Sequence, residues 1–136
     1  MTPEQADFLG ASHRGVFVTI KRNGRPQLSN IAYAFDGNRV RMSVTNDRAK
    51  TRNARRDARV ALHVTDRSFG RYLVVEGEAE VAGPVQSLRD ATSIQLEEVY
   101  RSVVGDHPDW DEFHQAMLDD QRAIIGFVPD HVYGTV

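Results

Sequence analysis

The sequence predicts one mainly antiparallel β domain with flanking helices, its six strands closed into a small barrel. Three observations lead there. Six segments carry strand patterning, short turns join the first three of them, and an open antiparallel sheet leaves edges that closure removes. At 136 residues with 40% hydrophobic side chains, residues 1–136 suit a single domain around a real core.

The elements follow in chain order. Thr2-Pro3-Glu4-Gln5 opens a helix with a hydroxyl cap, a first-turn proline and a glutamine three residues after the cap. It runs to about Leu9 and stops at Gly10. Val16–Ile20 is β-branched and apolar, a strand expected to be buried on both faces or nearly so. Asn23-Gly24 then turns the chain into a second strand, about Gln27 to Phe35. After Asp36-Gly37-Asn38, Val40, Met42 and Val44 alternate with polar neighbours in a third strand with one dry face. Loops this short exclude parallel crossovers.

Arg48 to Asp57 lacks strand patterning and reads as a short helix, with Val60–Val64 as the fourth strand. Tyr72 to Ala82 reads as one long fifth strand in which Gly77 marks a bulge or sharp bend. Ser87 is expected to cap a helix with the stripe Leu88, Thr92, Leu96, Val99 and Val103. Asp109 and Glu112 open another, which carries Trp110, Phe113 and Met117 on its apolar face. Ile124–Val128 is the sixth strand, and Pro129 places it at an edge or ends it.

Composition narrows the function. Seventeen basic against nineteen acidic side chains give a net charge of −2, which argues against a dedicated nucleic-acid binder. No apolar run approaches a membrane span, and the first residues lack a signal pattern, so a soluble cytoplasmic protein is expected. The absence of cysteine excludes thiolate catalysis and disulfides. The five histidines show no metal-ligand spacing, so no metal is expected. Neither a glycine-rich nucleotide loop nor a nucleophile elbow occurs.

The densest chemical signal is Asp47-Arg48-Ala49-Lys50-Thr51-Arg52-Asn53-Ala54-Arg55-Arg56. It follows a strand and opens a helix, which joins free backbone N–H groups to cationic side chains, a combination suited to phosphate. Arg48, Arg52, Arg55 and Arg59 would share one helix face while Lys50 points elsewhere, so the cations do not all serve one anion. A solvated basic face is the plain alternative. In the second segment, Gln27, Ser29 and Asn30 interrupt a strand with polar groups suited to the edge of a planar heterocycle, or simply to a wet face. A six-stranded barrel is too narrow for a large ligand inside, so any sizeable cofactor lies outside it or between subunits.

GVFVTIKRNGRPQLSNIAYAFD, DRAKTRNARRD and YLVVEGEAEV together resemble the split β-barrel flavin and deazaflavin oxidoreductases, relatives of pyridoxamine 5′-phosphate oxidase. YRSVVGDHPDWDEFHQAM and HVYG are similar to the actinobacterial branch that binds coenzyme F420. The resemblance implies a homodimer with two cofactors at the subunit interface, acting on a small-molecule substrate. It implies that Arg48 and Lys50 contact the cofactor phosphate with Thr51 beside them, and that Gln27, Leu28, Ser29 and Asn30 line the ring edge. Charge alone assigns Arg52, Arg55, Arg56 or Arg59 to the acidic oligoglutamate tail. One departure is Ser68-Phe69-Gly70-Arg71, where related proteins often carry a tryptophan.

The reduced deazaflavin would pass a hydride to an unsaturated substrate. No catalytic side chain is assigned: Tyr33, Tyr133 and His131 are weighed as proton donors against structural roles and against water. The alternatives are an FMN-dependent oxidase-like enzyme, whose Arg-rich C-terminal motif is missing from GFVPDHVYGTV, and a non-catalytic F420 carrier.

Overall fold

The computed structural model describes residues 1–136. Helix α1 (Pro3–Gly10) begins with the expected reciprocal cap: the Gln5 amide donates to the Thr2 hydroxyl, and the Thr2 amide to the Gln5 side chain. The chain continues through β1 (Arg14–Ile20), β2 (Pro26–Ala32), β3 (Ala34–Phe35), β4 (Val40–Thr45), α2 (Ala49–Arg56), β5 (Arg59–Thr65), β6 (Tyr72–Glu78) and β7 (Glu80–Ala82). It ends with α3 (Ala91–Val103), α4 (Trp110–Asp119), β8 (Arg122–Phe127) and β9 (His131–Thr135). No helix is long and apolar enough to cross a membrane.

The domain is mainly antiparallel β with four helices, but it has nine strands in two sheets rather than six in a barrel. One sheet has the order β2-β1-β5-β6-β9 and the other β3-β4-β8-β7. Two expected strands each pass from one sheet to the other. Residues 27–35 break at Tyr33, whose amide donates to the His13 carbonyl and whose hydroxyl donates to Leu9 O at 2.6 Å. Residues 72–82 break at Ala79, whose amide donates to Ala58 O at 2.7 Å. Each break swaps one ladder for another, so backbone bonding is kept while the chain turns a corner.

Three further expectations are corrected. Asp90, not Ser87, caps α3: its carboxylate accepts from the amides of Gln86, Ser87 and Ser93, so Leu88 falls outside the helix and is exposed. The bend Gly77 announces is real, but β8 lies between β4 and β7, not at an edge, and ends before Pro129. One edge of the five-stranded sheet is β9, which pairs along β6 with Gly134 at φ +142°; its short, exposed sequence carries little strand signal.

Phe17, Leu62, Leu73, Val75, Val44, Ile125 and Phe127 fill the space between the sheets, with Leu9 of α1 and Ala54 of α2 closing its ends. A second core joins Ala34, Val85 and Ile124 to Leu96, Val99 and Phe113 of the α3–α4 hairpin. The hairpin is tied by Ser93, whose hydroxyl meets His114 Nδ1 at 2.5 Å, while His114 Nε2 meets Glu97 at 2.8 Å. Only one face of β1 is buried: Phe17 and Thr19 point inward, whereas Val16, Val18 and Ile20 are half-buried on the other. Leu28, opposite Val18, is 59% exposed, so the outer face of this sheet presents an apolar strip.

Gly77 sits where β8 leaves the sheet, and an added Cβ would lie 2.7 Å from Val128 O and 2.8 Å from a Phe127 ring carbon. Gly77→Ala is expected to lower stability by about 1–3 kcal/mol, measured by urea denaturation, because one neighbour is a backbone carbonyl and the other the ring of the fully buried Phe127.

Candidate functional site

The turn after β4 carries the chain into α2, and Thr51 fastens the two together by donating its hydroxyl to Thr45 O at 2.8 Å. Arg48 precedes the helix and donates through Nε to Thr45 Oγ1. This geometry turns Lys50 into a cavity of about 550 Å³ between the β-sheets and the α3–α4 hairpin. Asn30, Ile31 and Ala32 of β2, Ser43 of β4 and Arg122 of β8 line it with Lys50. Its far side is apolar, built from α3 and α4.

Lys50 makes no hydrogen bond and no ion pair, and Arg122 has no carboxylate within reach. Burial, then the positive charges of Arg48 and Arg122, hold the Lys50 ammonium below its ordinary pKa. A half-buried cation facing like charges is disfavoured by itself and favoured once an anion arrives. By contrast, Arg39 and Arg41, just before and within β4, are paired with Glu80 and Glu98 at 2.8 and 2.7 Å.

The other expected site residues separate into two groups. Asn30 joins Lys50 at the cavity, and Arg48 stands at the start of α2. Thr51 is buried beneath them. The remaining arginines are bonded to the protein: Arg52 to Asp47 O, Arg55 to Gly83 O, and Arg56 to Ile20 O and Asn53 Oδ1. Arg59 is not on the helix, which ends at Arg56; it pairs with Asp57 and through that contact pulls the Asp57 carboxyl down to about 2.

Gln27 and Ser29 face inward beside Thr19 and Phe17, while Leu28 faces out. The two polar side chains are therefore the better covered ones, which removes the wet-face reading. As an edge strand, β2 leaves backbone groups unpaired along its free side. A second groove, about 750 Å³, lies against the same Asn30–Ala32 segment and includes Arg14, His63 and Arg67. Of the proton-donor candidates, Tyr33 is buried on Leu9 O, and burial raises its phenol well above the ordinary value, while Tyr133 and His131 lie on β9 away from the cavity lining.

Two features escaped the sequence reading. Arg122 heads an apolar strand, and its Nε is buried without an acceptor. A lone arginine before Ala-Ile-Ile-Gly-Phe was the available signal. The apolar wall gave no separate signal, because helix periodicity cannot tell a core face from a cavity lining.

The family model described as pyridoxamine 5′-phosphate oxidase matches residues 1–135. The chain belongs to that family. The pyridoxamine 5′-phosphate oxidase family is an oxidoreductase family with a flavin-binding fold. The conserved hypothetical protein Rv2991 from Mycobacterium tuberculosis is a structural neighbour at 25% identity, covering 99% of this chain and 84% of that one, with TM-score 0.77. An F420 reductase is similar over 98% of both chains at 24% identity and TM-score 0.75. General Stress Protein 26 from Bacillus anthracis shares the fold at 14% identity, over 97% of this chain and 92% of that one, with TM-score 0.67.

The donor set fits a flat cofactor with an anionic handle: carboxylate-free cations at one end, an edge strand alongside. Lys50→Ala is expected to weaken a phosphate-bearing cofactor roughly tenfold to a hundredfold, the worth of one charge-assisted hydrogen bond, with an unchanged thermal midpoint. Fluorescence titration and thermal melts check the two halves. Only the protonated amine grips an anion, so affinity should fall as pH rises through the lowered Lys50 pKa. Lys50→Arg should move that alkaline limb beyond the range of the titration.

Proposed function

We propose that this protein is a coenzyme F420-dependent reductase, handing a hydride to an unsaturated small molecule. The observation that carries the reading is the unpaired Lys50 in a cavity bounded by the β2 edge. The full-length similarity to an F420 reductase supports the same cofactor. When bound, the reduced deazaflavin supplies the hydride; the chain's own residues bind, orient and exclude water.

Lys50 and Arg48, with the first amides of α2, hold the phosphate. The unpaired backbone of β2 from Gln27 to Asn30 meets the ring edge. Thr51 sets the position of α2 rather than touching the ligand, since its hydroxyl is committed to Thr45 O. None of the three weighed side chains reaches the cavity lining, so the second atom of the reduction, a proton, comes from water.

The active form is a homodimer. Val16, Val18, Ile20 and Leu28 form an apolar strip on the outer face that a second copy would cover, beside the second groove against β2. FMN is the second reading, favoured by the family match.

Titrating the purified protein with F420 and with FMN separates the readings. Micromolar binding of F420 and none of FMN is expected; the reverse result discards the proposal. Reduced F420 mixed with quinones or enones should lose its reducing equivalents only when protein is present, whereas a mere carrier would leave them in place. In sedimentation, the protein is expected at twice the chain mass. Val18→Glu should give a folded monomer with lowered cofactor affinity.

A further inference from the structure

Seating a phosphate does not require the apolar half of the cavity. Val99, Tyr100, Val103, Val104, Phe113 and Met117 form a continuous wall from α3 and α4, and Val104 remains 64% exposed. Tyr100 and Phe113 are held edge-to-face at 5.2 Å, so part of that wall is stiff. Such a surface offers an apolar body dispersion and desolvation but no hydrogen bonds that would fix its direction.

Arg122 supplies the missing direction. Its Nε is fully buried with no acceptor, and Nη1 reaches only Ser43 Oγ, at 3.5 Å. The single carboxylate on the cavity lining, Glu112, pairs with neither Arg122 nor Lys50. A buried N–H left without a partner is unfavourable, and an unbranched apolar side chain such as methionine would pack without that penalty. Stability therefore gives no account of an arginine here, whereas an incoming oxyanion does.

We infer that the cavity takes an apolar molecule carrying one carboxylate or comparable oxyanion, its acid group on the Arg122 guanidinium and its body along the α3–α4 wall. This deepens the reductase reading by naming the class of substrate, and it rests on Lys50 and Arg48 serving the cofactor phosphate. Asn30–Ala32 line the same cavity, so such a molecule lies in the space that β2 borders.

Fluorescence titration of the full chain, without cofactor, tests this with two probes: 8-anilinonaphthalene-1-sulfonate and the uncharged N-phenyl-1-naphthylamine. The sulfonate is expected to bind about tenfold more tightly, as one charge-assisted contact provides. Arg122→Gln should abolish that preference, leave the amine's affinity unchanged and keep or raise the thermal midpoint. Arg122→Lys retains charge without the fork and should keep part of the preference, which guards against a misfolded glutamine variant. Lys50→Ala should lower that preference less than Arg122→Gln does, and Val103→Glu should weaken both probes. Equal binding of the two probes, or a preference that survives Arg122→Gln, overturns the inference. So does an Arg122→Gln variant that loses F420 affinity as Lys50→Ala does, for Arg122 then belongs to the phosphate. An intact, Arg122-dependent preference in a protein that binds no F420 supports the acid site and sinks the cofactor assignment instead.

Discussion

An uncompensated positive charge organises this molecule's chemistry. The fold brings Lys50 to a cavity shared with Arg122 and near Arg48, and it places no carboxylate beside them to neutralise the group. Elsewhere the same protein pairs its arginines readily: Arg89 with Asp111 at 2.7 Å, Arg101 with Glu97 at 3.2 Å. Like charges held together in a half-buried space oppose folding slightly and favour anion binding strongly. The surrounding architecture can be understood as the means of keeping them there.

Each part of that support is local. Thr51 locks α2 to the end of β4, and the bonds of Arg55 and Arg56 to backbone carbonyls fix the rest of the helix. The segment rich in arginine thus divides its labour. Some guanidinium groups act as structural struts, and Lys50, one of only two lysines in the chain, is left free. Guanidinium forks suit carbonyl-bridging roles, while a compact ammonium suits a point contact with phosphate.

Much of the fold was legible because local signals agreed with the tertiary outcome. The Thr2–Gln5 cap, the Asn23-Gly24 turn, the alternation in β4 and the Asp109 cap of α4 all appear where the residues place them. What was not legible is where a continuous apolar stretch changes partners. Tyr33 and Ala79 look like strand interior in sequence, and only the second sheet turns them into corners. The candidate site was legible through charge density, which found Lys50 but not which neighbouring arginines were already bonded. Arg122 lies far along the chain, and the pairing Thr45↔Arg122 that brings it to the site is a long-range fact.

The presence of only two lysines makes the central claim directly measurable. An NMR titration of the lysine side-chain resonances should show Lys50 losing its proton below the ordinary lysine range. Saturating F420 should shift the Lys50 titration upward. A Lys50 that titrates in the ordinary lysine range and ignores the cofactor would contradict the account.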